Sequence, residues 1–270
     1  MKPRRNPVRP AVTTIIGPHG PIPIRRYEPQ HPVSSVPIVW VHGGAFMQGT
    51  LDLPETHEVA LALAEAGIPV IAMTYRLARY PRVRYPVPLD DVVAVVREVQ
   101  REYPNGVILG GASAGACLSA ATVLRLAADG EAPLRGIFFA YGLFHARLPR
   151  RSPELMSRLR GYRRYAHNPA GYALMTAHYA GIRVGMSQPF AFPGGHDVSG
   201  FPPTLLVDAD HDAMRASGGQ FGRELEQAGV DTEYHVIPDV DHAFLNRPDD
   251  PGFTAAIALI ADWARRRWAR

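Results

Sequence analysis

Five short apolar runs set the terms for this chain: Ile38 to Val41, Pro69 to Thr74, Val107 to Leu109, Gly136 to Tyr141 and Thr204 to Asp208. Each is apolar along nearly all of its consecutive residues, so both of its faces need cover. Helical patterns able to supply that cover lie between them: Glu55 to Ala66 ended at Gly67, Leu89 to Glu102, and Ala114 to Ala128 ended near Gly130. Continuous apolar strands alternating with amphipathic helices predict an α/β architecture, a mostly parallel central sheet with helices on both faces. Thr13 to Ile16 and Pro21 to Tyr27 are expected to add a hairpin at the sheet edge, joined by Gly17-Pro-His-Gly20. After His145 the rhythm lapses, and it resumes with a helix over Ala213 to Ala228, a strand over Thr232 to Ile237 and a last helix over Gly252 to Arg267.

The lapse, about residues 145–203, is rich in Arg, Pro, Gly, Tyr and His and carries two short helical candidates, Pro153 to Arg160 and Gly171 to Tyr179. So long a break in a regular α/β rhythm is expected to be a lid or binding insertion. With 270 residues, 46% of them hydrophobic, the chain is expected to be one domain with this insertion and a short N-terminal arm at about residues 1–12.

The strand Val107 to Leu109 runs through Gly110-Gly-Ala-Ser-Ala-Gly-Ala116 straight into a helix. Within it, Gly111-x-Ser113-x-Gly115 has the pattern of a nucleophile elbow, where small neighbours permit a sharp strand-to-helix turn that lifts the serine hydroxyl above the sheet. Taken alone the pentapeptide fits a helix N-cap or a phosphate cradle equally well. A serine hydroxyl becomes a useful nucleophile only when a base takes its proton and an acid orients that base. His242, in Pro238-Asp-Val-Asp-His-Ala-Phe244, and Asp212, in Leu205-Leu-Val-Asp-Ala-Asp-His-Asp212, supply both in the chain order Ser, Asp, His, each expected on a loop after a parallel strand. Asp208, Asp210, Asp239 and Asp241 compete for the acid role and are read as capping and solvating loop residues.

Val41-His-Gly-Gly-Ala-Phe-Met-Gln-Gly49 sets bare backbone at the end of the first apolar run. Negative charge builds on a carbonyl oxygen under nucleophilic attack, and backbone N–H groups aimed at it lower the barrier. Gly43, Gly44 and Ala45 are expected to supply two donors and Ala114 a third, with His42, Gly111 and Gly115 supporting the geometry.

Together His42-Gly-Gly-Ala-Phe46, Tyr75-Arg-Leu-Ala78, Gly111-Ala-Ser-Ala-Gly115, Asp212-Ala-Met-Arg215 and His242-Ala-Phe244 resemble the hormone-sensitive-lipase-like branch of the α/β-hydrolase esterases, from about Pro37 onward. The resemblance implies the α/β-hydrolase fold and an acid at Asp212. It further implies that His42 shapes the oxyanion loop without transferring protons and that Tyr75 and Arg76 brace the neighbouring strand end. The chain departs from the family's pattern where a glycine is usual at Ala45, a proline at Ala213 and a glycine at Ala243, and its N-terminal cap is short.

A serine carboxylesterase acting on short to medium acyl esters through an acyl-enzyme on Ser113 is the expected function. The same triad could serve an amidase, a formamidase or a lactonase, and sequence does not separate these. A non-catalytic binding protein on a hydrolase scaffold predicts loss of a triad member, whereas Ser113, Asp212 and His242 are all present. No metal or other cofactor is expected, since His196-Asp197 and His211-Asp212 lack zinc-hydrolase spacing. The expected partner is a small-molecule ester, and Phe144, Tyr162, Tyr165, Tyr172, Tyr179, Phe190 and Phe192 could either line its pocket or pack the lid on the core. Arg147, Arg150, Arg151, Arg158, Arg160, Arg163 and Arg164 make that lid basic and could favour substrates with a carboxylate.

Nucleic acid is not an expected partner: the net charge is a modest +4, and the basic clusters, including Arg265 to Arg270, lack a reading motif. No apolar run is long enough to span a membrane, and the lone Cys117 rules out an intramolecular disulfide, so a cytoplasmic protein is expected. The last helix could equally close the sheet or support a homodimer.

Overall fold

The structure, a computed structural model, describes residues 10–79, 83–159, 168–181 and 185–268. Its eight strands are β1 (Thr13–Gly17), β2 (Gly20–Tyr27), β3 (Ile38–Val41), β4 (Val70–Met73), β5 (Ile108–Ala112), β6 (Gly136–Ala140), β7 (Thr204–His211) and β8 (Thr232–Asp241). They form one sheet in the order β1-β2-β4-β3-β5-β6-β7-β8. From β4 to β8 every pairing is parallel; β1 with β2, and β2 with β4, are antiparallel. This is the α/β-hydrolase architecture that the strand rhythm and the motifs imply, with the hairpin at the edge.

Helices α1 (Pro54–Glu65), α2 (Val87–Glu102), α3 (Ala114–Ala128), α6 (Arg215–Gln227) and α7 (Pro251–Trp268) cover the sheet, while α4 (Pro153–Arg158) and α5 (Pro169–Ala180) belong to the insertion. The side-chain period of two in a strand divides the core in two. Val39, Val41, Leu109, Phe139 and Leu206 face α2, α3 and α6, whereas Ile38, Trp40, Ile108, Phe138 and Leu205 face α1 and α7. The last helix spends its apolar face inside the chain, burying Phe253, Ala256, Ile260 and Trp263, so a homodimer through α7 would have to use its polar outer side.

Phe144, Tyr172, Tyr179 and Phe192 are fully buried and join the α2–α3 core, so they pack the insertion down. Tyr162, Tyr165, Arg160, Arg163 and Arg164 lie outside the described residues, as do the first nine residues of the arm. Tyr179 stacks on Phe46 with ring centroids 3.9 Å apart, and Cys117 Sγ donates to the Ala191 carbonyl at 3.2 Å, tying the insertion to the His42–Phe46 loop and to α3. No described helix is long and apolar enough to cross a membrane.

Phe138 stacks on Trp40 at 5.4 Å and meets Trp263 edge-on, and its ring fills the space beside Gly110. Phe138→Ala empties that space, and urea unfolding is expected to register a loss of about 3–5 kcal/mol; a loss under about 1 kcal/mol would mean that this face does not depend on the aromatic cluster.

Candidate active site

The turn from β5 into α3 places Ser113 at φ 51°, ψ −115°, a conformation disfavoured for a residue with a Cβ. Two close approaches hold it there. A Cβ on Gly115 would stand 2.3 Å from the Val41 carbonyl oxygen, and one on Gly111 would stand 2.4 Å from the Gly115 carbonyl oxygen, so both positions need glycine. The Ser113 amide donates to the Ala140 carbonyl at 2.9 Å, fixing the turn to the end of β6.

Ser113 Oγ lies 3.0 Å from His242 Nε2, and His242 Nδ1 lies 2.5 Å from Asp212 Oδ2. A carboxylate only accepts, so Nδ1 carries the proton and Nε2 is free to accept from the serine hydroxyl. Ser113 is 4% exposed and Asp212 2%, and the Met214 amide donates to Asp212 Oδ1 at 2.9 Å. Burial disfavours the charged imidazole of His242. Attraction from Asp212, the hydrogen bond to it, and the more distant Glu55 and Asp208 outweigh that cost, and the pKa of His242 is raised above 6.5.

The competing carboxylates are engaged elsewhere. Asp208 accepts from Tyr234 Oη at 2.9 Å, and its pKa is pushed up to about 8, chiefly by burial. Asp210 pairs with Arg215 at 3.3 Å and Arg158 at 3.5 Å. The strands also run further than the sequence predicts, β7 to His211 and β8 to Asp241, so Asp212 and His242 are the first residues past their strands and not members of longer loops. Asp210, His211 and Asp239 bring ligand atoms within 4.8 Å of one another, but Arg158 and Arg215 already supply positive charge to Asp210.

His42 is fully buried: Nδ1 donates to the Gly43 carbonyl at 2.7 Å, Nε2 faces Thr74 Oγ1 at 3.1 Å, and the ring stacks on Tyr75 at 4.6 Å. Burial lowers its pKa against the opposing pull of the Gly43 carbonyl and Glu55, so it is a neutral, fixed wedge. Arg76 braces the end of β4 through Asp91, whose Oδ2 accepts from the Arg76 amide at 2.8 Å.

One expectation needs correcting. The Gly43 amide donates to Glu55 Oε1 at 2.5 Å, so it is spent inside the protein. The amides of Gly44 and Ala45 have no hydrogen-bond acceptor among the described residues, and Ala114, first in α3, has none within its helix. The loop turns at Gly44 (φ 110°), and Ala45 follows in the left-handed region at φ 54°, which accounts for the usual glycine there.

Sequence reasoning passed over Glu55, Tyr141 and Asn246. Glu55 looked like an ordinary acidic residue in a helix's first turn, yet it is 2% exposed and accepts from Tyr141 Oη at 2.5 Å and Asn246 Nδ2 at 3.2 Å. Its place between the glycine loop and an apolar helical face was the available signal. Of the basic insertion residues, Arg150 lines a cavity of about 260 Å³ with Arg215, Arg223 and Tyr234, and none of Ser113, Asp212 or His242 borders it.

A family model described as alpha/beta hydrolase fold matches residues 38–246. An ethyl acetate hydrolase of Pseudomonas putida is 31% identical over 83% of this chain and 71% of its own length. Carboxylesterase NlhH of Mycobacterium tuberculosis is 30% identical over 83% of this chain and 72% of its own. Among solved structures, a hormone-sensitive lipase from a metagenome library superposes with a TM-score of 0.82 at 25% identity, over 98% of this chain and 88% of that one.

The strain at position 113 can be read apart from its hydroxyl by comparing Ser113→Gly with Ser113→Ala, which both lack Oγ. Glycine ordinarily weakens a fold relative to alanine. Here relief of a strain of about 1–3 kcal/mol is expected to make the glycine variant the more stable, with a Tm about 2–4 °C higher; the reverse order would contradict a strained turn.

Proposed function

We propose, from the premise that this chain belongs to the α/β-hydrolase fold family and is a carboxylic ester hydrolase of its hormone-sensitive-lipase-like branch, that Ser113 carries the acyl group, His242 moves the protons and Asp212 orients His242. The observation that carries the proposal is the unbroken hydrogen-bond chain Ser113–His242–Asp212 beside the amides of Gly44 and Ala45, which have no acceptor among the described residues.

In this reading Ser113 Oγ attacks the ester carbonyl while His242 Nε2 takes its proton. The negative charge that develops on the carbonyl oxygen is met by the amides of Gly44, Ala45 and Ala114. His242 returns the proton to the departing alkoxide, the alcohol leaves, and the acyl group stays on Ser113. A water then repeats the attack with His242 again as base, releasing the carboxylic acid. The charged imidazole exists only between these steps, and buried Asp212 favours it when it forms.

The 145–203 insertion is proposed to wall the substrate pocket, anchored through Tyr179 on Phe46. Short acyl groups are the proposed substrates, in keeping with the ethyl acetate hydrolase among the relatives. A cytoplasmic setting belongs to the same proposal: Cys117 is the chain's only cysteine and is buried, so the fold draws nothing from an oxidising compartment.

Hydrolysis of p-nitrophenyl esters from acetate to palmitate tests the reading. Wild-type activity is expected to be highest on short chains and abolished in Ser113→Ala, and Asp212→Asn is expected to lower kcat by at least about a thousandfold. Palmitate as the best substrate, or activity surviving in Ser113→Ala, would refute it. A second check is the pH profile of kcat/KM. His242 must be neutral to act as base and its pKa is raised, so activity is expected to fall with decreasing pH along a limb centred above 6.5; a limb well below 6.5 would contradict the assigned base.

A further inference from the structure

Glu55 is the second residue of α1, where an acidic side chain ordinarily reaches into solvent near the positive end of the helix. Here it points inward, and its carboxylate accepts from three separate segments: the Gly43 amide of the glycine loop, Tyr141 Oη just past β6, and Asn246 Nδ2 four residues after His242. Its backbone is pinned as well. The Glu55 amide donates to Asn246 Oδ1 at 3.3 Å, and its carbonyl accepts from Trp40 Nε1 at 2.8 Å. A buried carboxylate is tolerable only when hydrogen bonds replace its water, and these three donors do so, with no arginine or lysine among the described residues paired to it.

We propose that Glu55 is a positioning residue for ester hydrolysis: by taking the Gly43 amide inward it fixes the glycine loop so that the next two amides, Gly44 and Ala45, face the reacting carbonyl oxygen. The inference rests on the Ser113–His242–Asp212 reading and deepens it. The opposite side of the loop is restrained too, because Tyr75 Oη donates to the His42 carbonyl at 3.2 Å and the Gly43 carbonyl at 3.3 Å, and His42 Nδ1 donates to the latter. Residues 42 and 43 are therefore gripped on both sides, and the free amides begin where the grip ends. The loop lies against the nucleophile, since a Cβ on Gly43 would stand 3.0 Å from Ser113 Cβ.

Glu55 also bears on the base. The Tyr141 ring that it holds packs edge-on against the His242 imidazole with centroids 5.0 Å apart. His242 is thus faced by Asp212, by Glu55 and by Asp208, all favouring its charged form, with Tyr141 between it and Glu55. Removing the Glu55 charge should make His242 easier to deprotonate.

The test uses the whole chain with Glu55→Ala, Glu55→Gln and Tyr141→Phe, beside wild type and Ser113→Ala. Two rates are read: p-nitrophenyl acetate hydrolysis, and labelling by a fluorophosphonate, in which the serine oxygen displaces fluoride from phosphorus and the serine proton is lost. Glu55→Ala is expected to lower kcat about 100-fold, the scale of a misplaced oxyanion donor, with KM little changed. Glu55→Gln keeps an acceptor for the Gly43 amide and is expected to recover kcat to within about tenfold of wild type. In both variants the acid limb of kcat/KM should move to lower pH, which a purely structural loss would not produce.

Glu55→Ala with wild-type kcat overturns the proposal, as does a Glu55→Gln that folds yet is no faster than the alanine variant. If Glu55→Ala does not fold, Glu55→Gln and Tyr141→Phe decide: a lowered acid limb in the first and a reduced kcat in the second uphold it, and two wild-type profiles overturn it. Wild-type chain inert toward every ester would defeat the ester reading, and labelling would then decide for Glu55. Slower labelling of Glu55→Ala upholds its role, and an equal rate, or none in any chain, overturns it.

Discussion

The contact on which the rest depends is the one between α3 and β3 at Gly115. No side chain stands there, and the Val41 and His42 carbonyls occupy the volume a Cβ would need. This brings the turn carrying Ser113 directly against the loop that begins at His42. A larger residue would push α3 outward and separate Ser113, the proposed nucleophile, from the backbone amides proposed to act on the same substrate atom. Such geometry must be set before substrate arrives, because misplacement by about an ångström at a reacting centre can cost on the order of a hundredfold in rate.

Around that contact the structure distributes charge unevenly. Asp212, Asp208 and Glu55 all face His242 from buried positions, while His42, whose burial outweighs the pull of Glu55 and the Gly43 carbonyl, stays uncharged. Two histidines near one site thus take different parts. His242 has a carboxylate on Nδ1 and a hydroxyl on Nε2, whereas His42 has a backbone carbonyl on Nδ1 and a threonine hydroxyl on Nε2. Only the first arrangement can take a proton from serine and hold the resulting charge.

The central sheet was legible because each of its inner strands is an apolar run too short for anything else, and Gly67, Gly130 and Gly229 mark the ends of helices that cover it. That Ser113, Asp212 and His242 would meet was legible through their order and their places after strands. The true end of β7 was not, since Asp208 and Asp210 look like loop residues until the partners Tyr234, Arg215 and Arg158 are seen. Hydropathy counts a buried, paired carboxylate as if it were solvated. Glu55 escaped for the same reason: its three donors come from residues 43, 141 and 246, and no local pattern announces a meeting over such separations. Gly43 was misread as a free donor because sequence reveals where bare backbone lies but not which way each amide turns.

In the proposed mechanism Ser113 itself holds the acyl group between two displacements. The most direct measurement is acid-quenched mass spectrometry of the wild-type protein during turnover of p-nitrophenyl acetate, with the modified peptide sequenced. One acetyl group is expected on Ser113, appearing with the initial release of nitrophenol and lost when the substrate is exhausted. Steady ester hydrolysis with Ser113 unmodified, or with the acetyl group transiently on another side chain, would contradict it.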